Sequence, residues 1–143
     1  MILHYPSKIK YLAEDKAYLV EFPDLPGCLT EGETLEEATQ NAKEALTGYL
    51  ASVFERNLKI PEPSAIRGKN IYLIEPEPEV AVPLLLRKLR ETRKLTQRDI
   101  AKVLGISYQA YQRLEKPGKS NPTLKTLERL AKVFNKDLRL EFA

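Results

Sequence analysis

Residues 95–115 constrain this chain more tightly than any other stretch. Thr96 and Ser107 are each placed to be the N-cap of a short helix, because a hydroxyl there accepts an otherwise unbonded backbone N–H. Ile100, Ala101 and Leu104 recur on one face of the first helix. Gly105 follows, where a chain leaving a helix often turns left-handed at no steric cost to glycine. Ile106 then anchors the turn, Tyr111 and Leu114 form the inward stripe of the second helix, and the small Ala101 lets the two helices cross closely. Two capped helices joined by a glycine turn are the geometry that presents one helix to the major groove of DNA.

Tyr108, Gln109 and Gln112, with Arg113 one step on, point outward at the start of the second helix and suit base edges. Gln97 opens the preceding helix and suits a phosphate, which would fix register. Ser107, as the cap, belongs to the same surface. Lys116, Lys119, Ser120 and Asn121 follow the second helix and suit the DNA backbone. With Leu86, Leu89 and Arg90 upstream, and Leu114, Glu115 and the run 121–124 downstream, residues 86–134 resemble the lambda-repressor-like (Xre-type) helix-turn-helix family. That resemblance implies an all-α domain on double-stranded operator DNA and an internal ion pair between Arg90 and Glu115. Tyr108, where the family often has a polar or basic residue, and Tyr111, where it usually has a β-branched one, depart from the pattern. They bear on the target sequence more than on the fold.

Charge divides the chain. Residues 1–80 hold 8 Lys and Arg against 14 Asp and Glu, a net of −6, whereas residues 81–143 hold 15 against 6, a net of +9. A basic half fits a polyanion; an acidic half repels one and fits a basic protein. Pro76 and Pro78 among Glu75, Glu77 and Glu79 oppose helix and mark the boundary. The expected organisation is a domain over 1–75, a linker over 76–82 and a helix-turn-helix domain over 83–143.

In the acidic half, residues 5–12 and 17–22 alternate as two strands of a hairpin around the polar turn Glu14, Asp15 and Lys16. Residues 23–27, with two prolines and Gly27, form a rigid turn, and a short strand follows over 28–31. Thr34 and Glu37 form a capping box. Leu35, Ala38, Ala42, Leu46, Tyr49, Leu50 and Val53 then recur at helical spacing, so a helix should run to about Glu55 on one face of the sheet. Residues 70–74 add a strand, and the β-β-β-α-β order predicts a two-layer α+β domain.

Phe22–Cys28, then Glu31–Thr34, Glu37, Ala38 and Ala42, resemble the N-terminal domain of the HicB-type antitoxins, whose fold is described as partly RNase H-like. Some members of that family carry a C-terminal helix-turn-helix. The resemblance implies an antitoxin that binds a small basic HicA-type toxin, an mRNA-cleaving RNase, and a pair that represses its own operon.

Catalysis is not expected. Glu14, Asp15, Glu21 and Asp24 are the acids near the strands, and their spacing assembles no metal site. The only histidine, His4, has no partner acid or ligand nearby. Cys28 should pack as a small hydrophobe, and Asp24 should brace its own turn. No cofactor or metal is expected. One cysteine, no signal-peptide pattern and no apolar run of membrane-spanning length point to the cytoplasm. Leu138, Leu140 and Phe142 alternate with Arg139 and Glu141 as a strand does, and the same segment of a second chain is the expected partner, giving a dimer or larger homo-oligomer. An alternative to the antitoxin is a stand-alone repressor whose N-terminal domain senses a small ligand, although no polar cluster within the apolar pattern marks a pocket.

Overall fold

A computed structural model describes all 143 residues. The chain divides into two compact units, Met1–Ala81 and Val82–Ala143.

In the first unit, β1 (Tyr5–Leu12), β2 (Ala17–Glu21) and β3 (Leu29–Gly32) precede α1 (Leu35–Glu55), and β4 (Ile71–Ile74) follows it. All neighbours are antiparallel, in the order β3-β2-β1-β4. Pro6 lies in the central strand β1, but pairing with β2 begins only at Lys8, so its missing N–H breaks no rung on that side. Ala38, Ala42, Leu46, Leu50 and Val53 form the buried stripe of α1, and Tyr5, Ile9 and Val20 are buried in the sheet. Leu35 is exposed, and Tyr49 is only half-buried, its hydroxyl donating to the Pro26 carbonyl at 3.2 Å.

The end of β3 touches the first turn of α1. A methyl group built on Gly32 would lie 2.4 Å from the Ala38 nitrogen, so only glycine permits the approach. Thr34 caps α1 by accepting from the Glu37 N–H at 3.0 Å, and the Glu37 carboxylate accepts from the Glu33 N–H at 3.1 Å. The capping box thus closes one residue upstream of the usual N-cap N–H.

The Asp24 carboxylate does not brace its own turn as expected. Its Oδ2 accepts from the backbone N–H and hydroxyl of Ser64, at 2.9 and 3.0 Å. It therefore pins the irregular segment between α1 and β4. Tyr5 fastens the same segment by donating to the Pro61 carbonyl at 2.7 Å. Burial, then the charges of Glu62 and Asp24, pushes the Tyr5 phenol well up.

Strand pairing leaves a second sheet face away from the α1 stripe. It carries the row Ile71, Lys8, Glu21 and Leu29 beside Lys10, Leu19 and Glu31. A broad depression of about 600 Å³ lies over it, lined by charged and apolar side chains. Leu29, which lines it, is 65% exposed, and Leu73, opposite Pro6 on the same face, is 42% exposed.

The second departure from expectation concerns the linker. From Pro78 onward, residues 76–82 are helical, because α2 spans Pro78–Thr92. Two prolines in the acidic stretch suggested an irregular chain, but Pro78 opens the helix, where a missing N–H costs nothing. The Glu77 N–H donates to the Thr47 hydroxyl at 3.0 Å, which fixes the approach to that first turn. Pro83 lies inside α2, where it leaves the Glu79 carbonyl without its usual donor.

The second unit completes α2 and adds α3 (Gln97–Leu104), α4 (Tyr108–Leu114) and α5 (Leu124–Val133). Leu86, Ile100, Ala101, Leu104, Tyr111, Leu130 and Phe134 form its core. Residues 138–142 form no strand within the chain; Leu140 is 74% and Phe142 93% exposed.

Candidate nucleic-acid interface

The α3–α4 corner is built from its caps. The Thr96 hydroxyl accepts from the Asp99 N–H at 3.0 Å, and the Asp99 carboxylate accepts from the Thr96 N–H at 2.8 Å. This reciprocal box holds the Asp99 carboxyl below its ordinary pKa. Gly105 ends α3 at φ 70°, ψ 31°, a left-handed conformation that a side chain would strain. Ser107 caps α4 by accepting from the Ala110 N–H at 3.0 Å.

Two arginines outside the motif bond to helix ends, one of them at the corner. Arg129 donates to the Leu104 carbonyl at 2.7 Å, where α3 ends, and Arg93 to the Phe134 carbonyl at 2.6 Å, where α5 ends. Each supplies a donor to a helix C-terminus that lacks intrahelical partners.

A polar cluster lies under the corner. Glu115, 1% exposed, accepts from Arg90 through both oxygens: Nε donates at 2.7 Å and Nη2 at 2.9 Å. Arg90 Nη1 donates to the Leu95 carbonyl at 2.9 Å. The ion pair implied by the Xre resemblance is therefore present and bidentate, tying α2 to the end of α4. Its hydrogen bonds push the Arg90 pKa further up. The Tyr111 hydroxyl is enclosed nearby, and burial, then the Glu115 carboxylate, pushes the phenol far up.

The expected DNA-facing residues divide by environment. Gln109, Arg113, Lys116, Lys119 and Asn121 are exposed. Tyr108 and Gln112 are half-buried. Positions 108, 109, 112 and 113 share one helical face by i, i+4 spacing. Ser107 is exposed, but its hydroxyl is engaged by the cap. Gln97 is half-buried, and its Nε2 donates to Glu115 Oε1 at 3.3 Å, so one of its two amide hydrogens serves the internal cluster. Ser120 is a correction: its hydroxyl oxygen is enclosed, without a partner in the chain, and is not displayed to a ligand.

Arg98 was not among the expected residues. Its guanidinium carbon lies 4.2 Å from the centroid of the Tyr108 ring. The two positions are ten residues apart on different helices, so no i, i+4 rule joins them. The capped glycine turn, which joins the end of α3 to the start of α4 and so packs the two helices together, was the available signal.

The first unit matches, over residues 5–82, the family described as HicB_like antitoxin of bacterial toxin-antitoxin system. The chain belongs to the HicB-like antitoxin family. Residues 86–140 of this HicB-like chain match the helix-turn-helix family. It is 35% identical over 112 residues to antitoxin HicB 1 of Photorhabdus laumondii, covering 78% of this chain and 70% of that protein. It is 36% identical over 102 residues to antitoxin HicB of Escherichia coli K12, covering 71% and 73%. A crystal structure of the N-terminal domain of Burkholderia pseudomallei antitoxin HicB superposes with a TM-score of 0.45 at 22% identity, covering 51% of this chain and 96% of that one. No helix of the chain is long and apolar enough to cross a membrane.

Proposed function

We propose that this protein is the antitoxin of a type II toxin–antitoxin pair. Its first unit binds and silences a HicA-type mRNA-cleaving toxin, and its second binds operator DNA and represses the operon that encodes both. The carrying observation is the fusion of a HicB-like unit of net charge −6 to a helix-turn-helix unit of net charge +9. The protein works in the cytoplasm as a binding protein, not as an enzyme; its relatives are named as antitoxins.

On the DNA side, Tyr108, Gln109, Gln112 and Arg113 read bases. Gln97, Ser107, Lys116, Lys119 and Asn121 hold the backbone. Gln97 does so with its second amide N–H, while Glu115 fixes the first. One α4 reads too few bases for a unique site, so the protein binds as a dimer to half-sites about one helical turn apart. Residues 138–142 of two copies pair as strands, which accounts for the exposed alternation of Leu138, Leu140 and Phe142. On the toxin side, the sheet face with Leu29 and Leu73 is broad and open, better shaped for a protein than for a small ligand.

Two binding measurements test this. Co-expression with the product of a neighbouring short basic reading frame should yield a complex, and Leu29→Asp should weaken it at least about tenfold. A promoter duplex should be shifted by the wild-type chain, and Gln109→Ala should weaken that binding while sparing a random duplex. Equal losses on both duplexes contradict the base-reading role, and failure to capture any cationic partner contradicts the antitoxin.

A further inference from the structure

We infer that Arg98 is a positioning residue for sequence reading, acting through Tyr108. This rests on the DNA-binding function proposed above and adds to it a residue outside the second helix of the motif. Three observations converge. Tyr108 is the first residue of α4, the place from which a recognition helix reaches base edges. The Arg98 guanidinium lies 4.2 Å over its ring centroid, within cation–π range. Tyr108 is half-buried while Arg98 is exposed, so the arginine forms the outer layer of the pair.

The stack has two consequences. First, a tyrosine at a helix start has several rotamers, and a cation over one ring face favours one of them. The ring then meets the groove in a fixed pose, with one face covered and its edge and hydroxyl left for contact. An aromatic edge suits the 5-methyl group of thymine, the apolar feature of the major groove. Second, a guanidinium lying over a ring still has N–H donors in its own plane. These suit a phosphate oxygen beside the groove. Arg98 thus couples a backbone contact to the pose of a base-reading side chain.

A double-mutant cycle on the full-length chain tests this. Duplexes are selected from a randomised pool by the wild-type protein. Binding of the selected duplex and of a scrambled one is then titrated over a range of NaCl for wild type, Arg98→Ala, Tyr108→Ala and the double variant. Arg98→Ala should weaken the selected duplex more than the scrambled one. It should reduce the log–log salt slope by about 0.9, one phosphate. The two substitutions should be non-additive by roughly fivefold. Pools selected with Arg98→Ala should lose preference at the same base pair as pools selected with Tyr108→Ala. At that pair, replacing thymine by uracil should weaken wild-type binding and leave Tyr108→Ala unaffected.

Should Arg98→Ala lower the melting temperature, Arg98→Lys carries the test. It keeps the cation but loses the planar stack, so the salt slope should persist while the base preference broadens. Additive losses, or a base preference at the Tyr108 position untouched by both Arg98 variants, overturn the inference and leave DNA binding standing. A wild-type chain that selects no sequence at low salt overturns the DNA-binding function as well.

Discussion

Glu115→Ala should be the most damaging single truncation of a charged residue in the second unit. The carboxylate is 1% exposed and accepts two hydrogen bonds from Arg90 and one from Gln97. Its removal leaves Nε and Nη2 of an arginine whose side chain is only 13% exposed without acceptors. Breaking a buried pair by deleting one partner costs about 3–5 kcal/mol, most of it the desolvation of the abandoned charge. Arg90 retains the Leu95 carbonyl and some solvent, so the lower end, about 3 kcal/mol, is expected. A unit of this size holds only about 3–9 kcal/mol in all, so the variant should be near the edge of folding. With a urea slope of about 1.5 kcal/mol per molar, the midpoint of the helical transition should fall by about 2 M. The apolar pair Arg90→Met with Glu115→Leu should recover most of that loss, since no charge is then stranded. The difference between the wild-type and Glu115→Ala midpoints should also respond little to added NaCl, because a buried pair is weakly screened. Urea titrations followed by circular dichroism measure all three. A Glu115→Ala loss under about 0.5 kcal/mol would refute the assignment of a structural charge to this site.

Gly32→Ala should destabilise the first unit and leave the second unchanged, because the added methyl would meet α1 backbone 2.4 Å away; differential unfolding of the two units checks this. The Cys28 thiol, buried and pushed up to about 11, should resist iodoacetamide at pH 8 in the native chain and react freely in urea. Its folded pKa is raised, so its contribution to stability is complete below pH 9 and is lost as pH climbs through about 11, which base titration of unfolding detects. Deleting residues 138–143 should halve the mass of the oligomer by light scattering and abolish binding to paired half-sites; a mass unchanged by the deletion would remove the strand from the dimer interface.

What was legible in the sequence follows the reach of local rules. Thr34, Thr96 and Ser107 cap the helices their spacing announced, and Gly105 takes the left-handed turn that ends α3. Each of these interactions closes within three or four residues, so the residues that make it are visible together. The Arg90–Glu115 pair was available only by resemblance, because its 25-residue separation has no periodic signature. Asp24 illustrates the opposite failure. An aspartate in a proline turn should bond its own backbone, but Ser64, 40 residues on, offers both an N–H and a hydroxyl to one oxygen. Pro78 departs from expectation for a related reason: proline reports that its own N–H is missing, and whether that breaks a helix or opens one depends on what precedes it, here the Glu77 N–H held by Thr47. Arg98 completes the pattern. The same residue type serves a helix C-terminus at Arg93 and Arg129, a buried carboxylate at Arg90 and a tyrosine ring at Arg98. All four carry the same charge and donors, so composition cannot separate them. What separates them is the acceptor that the packed helices bring within reach, and that is settled only when α3 and α4 cross.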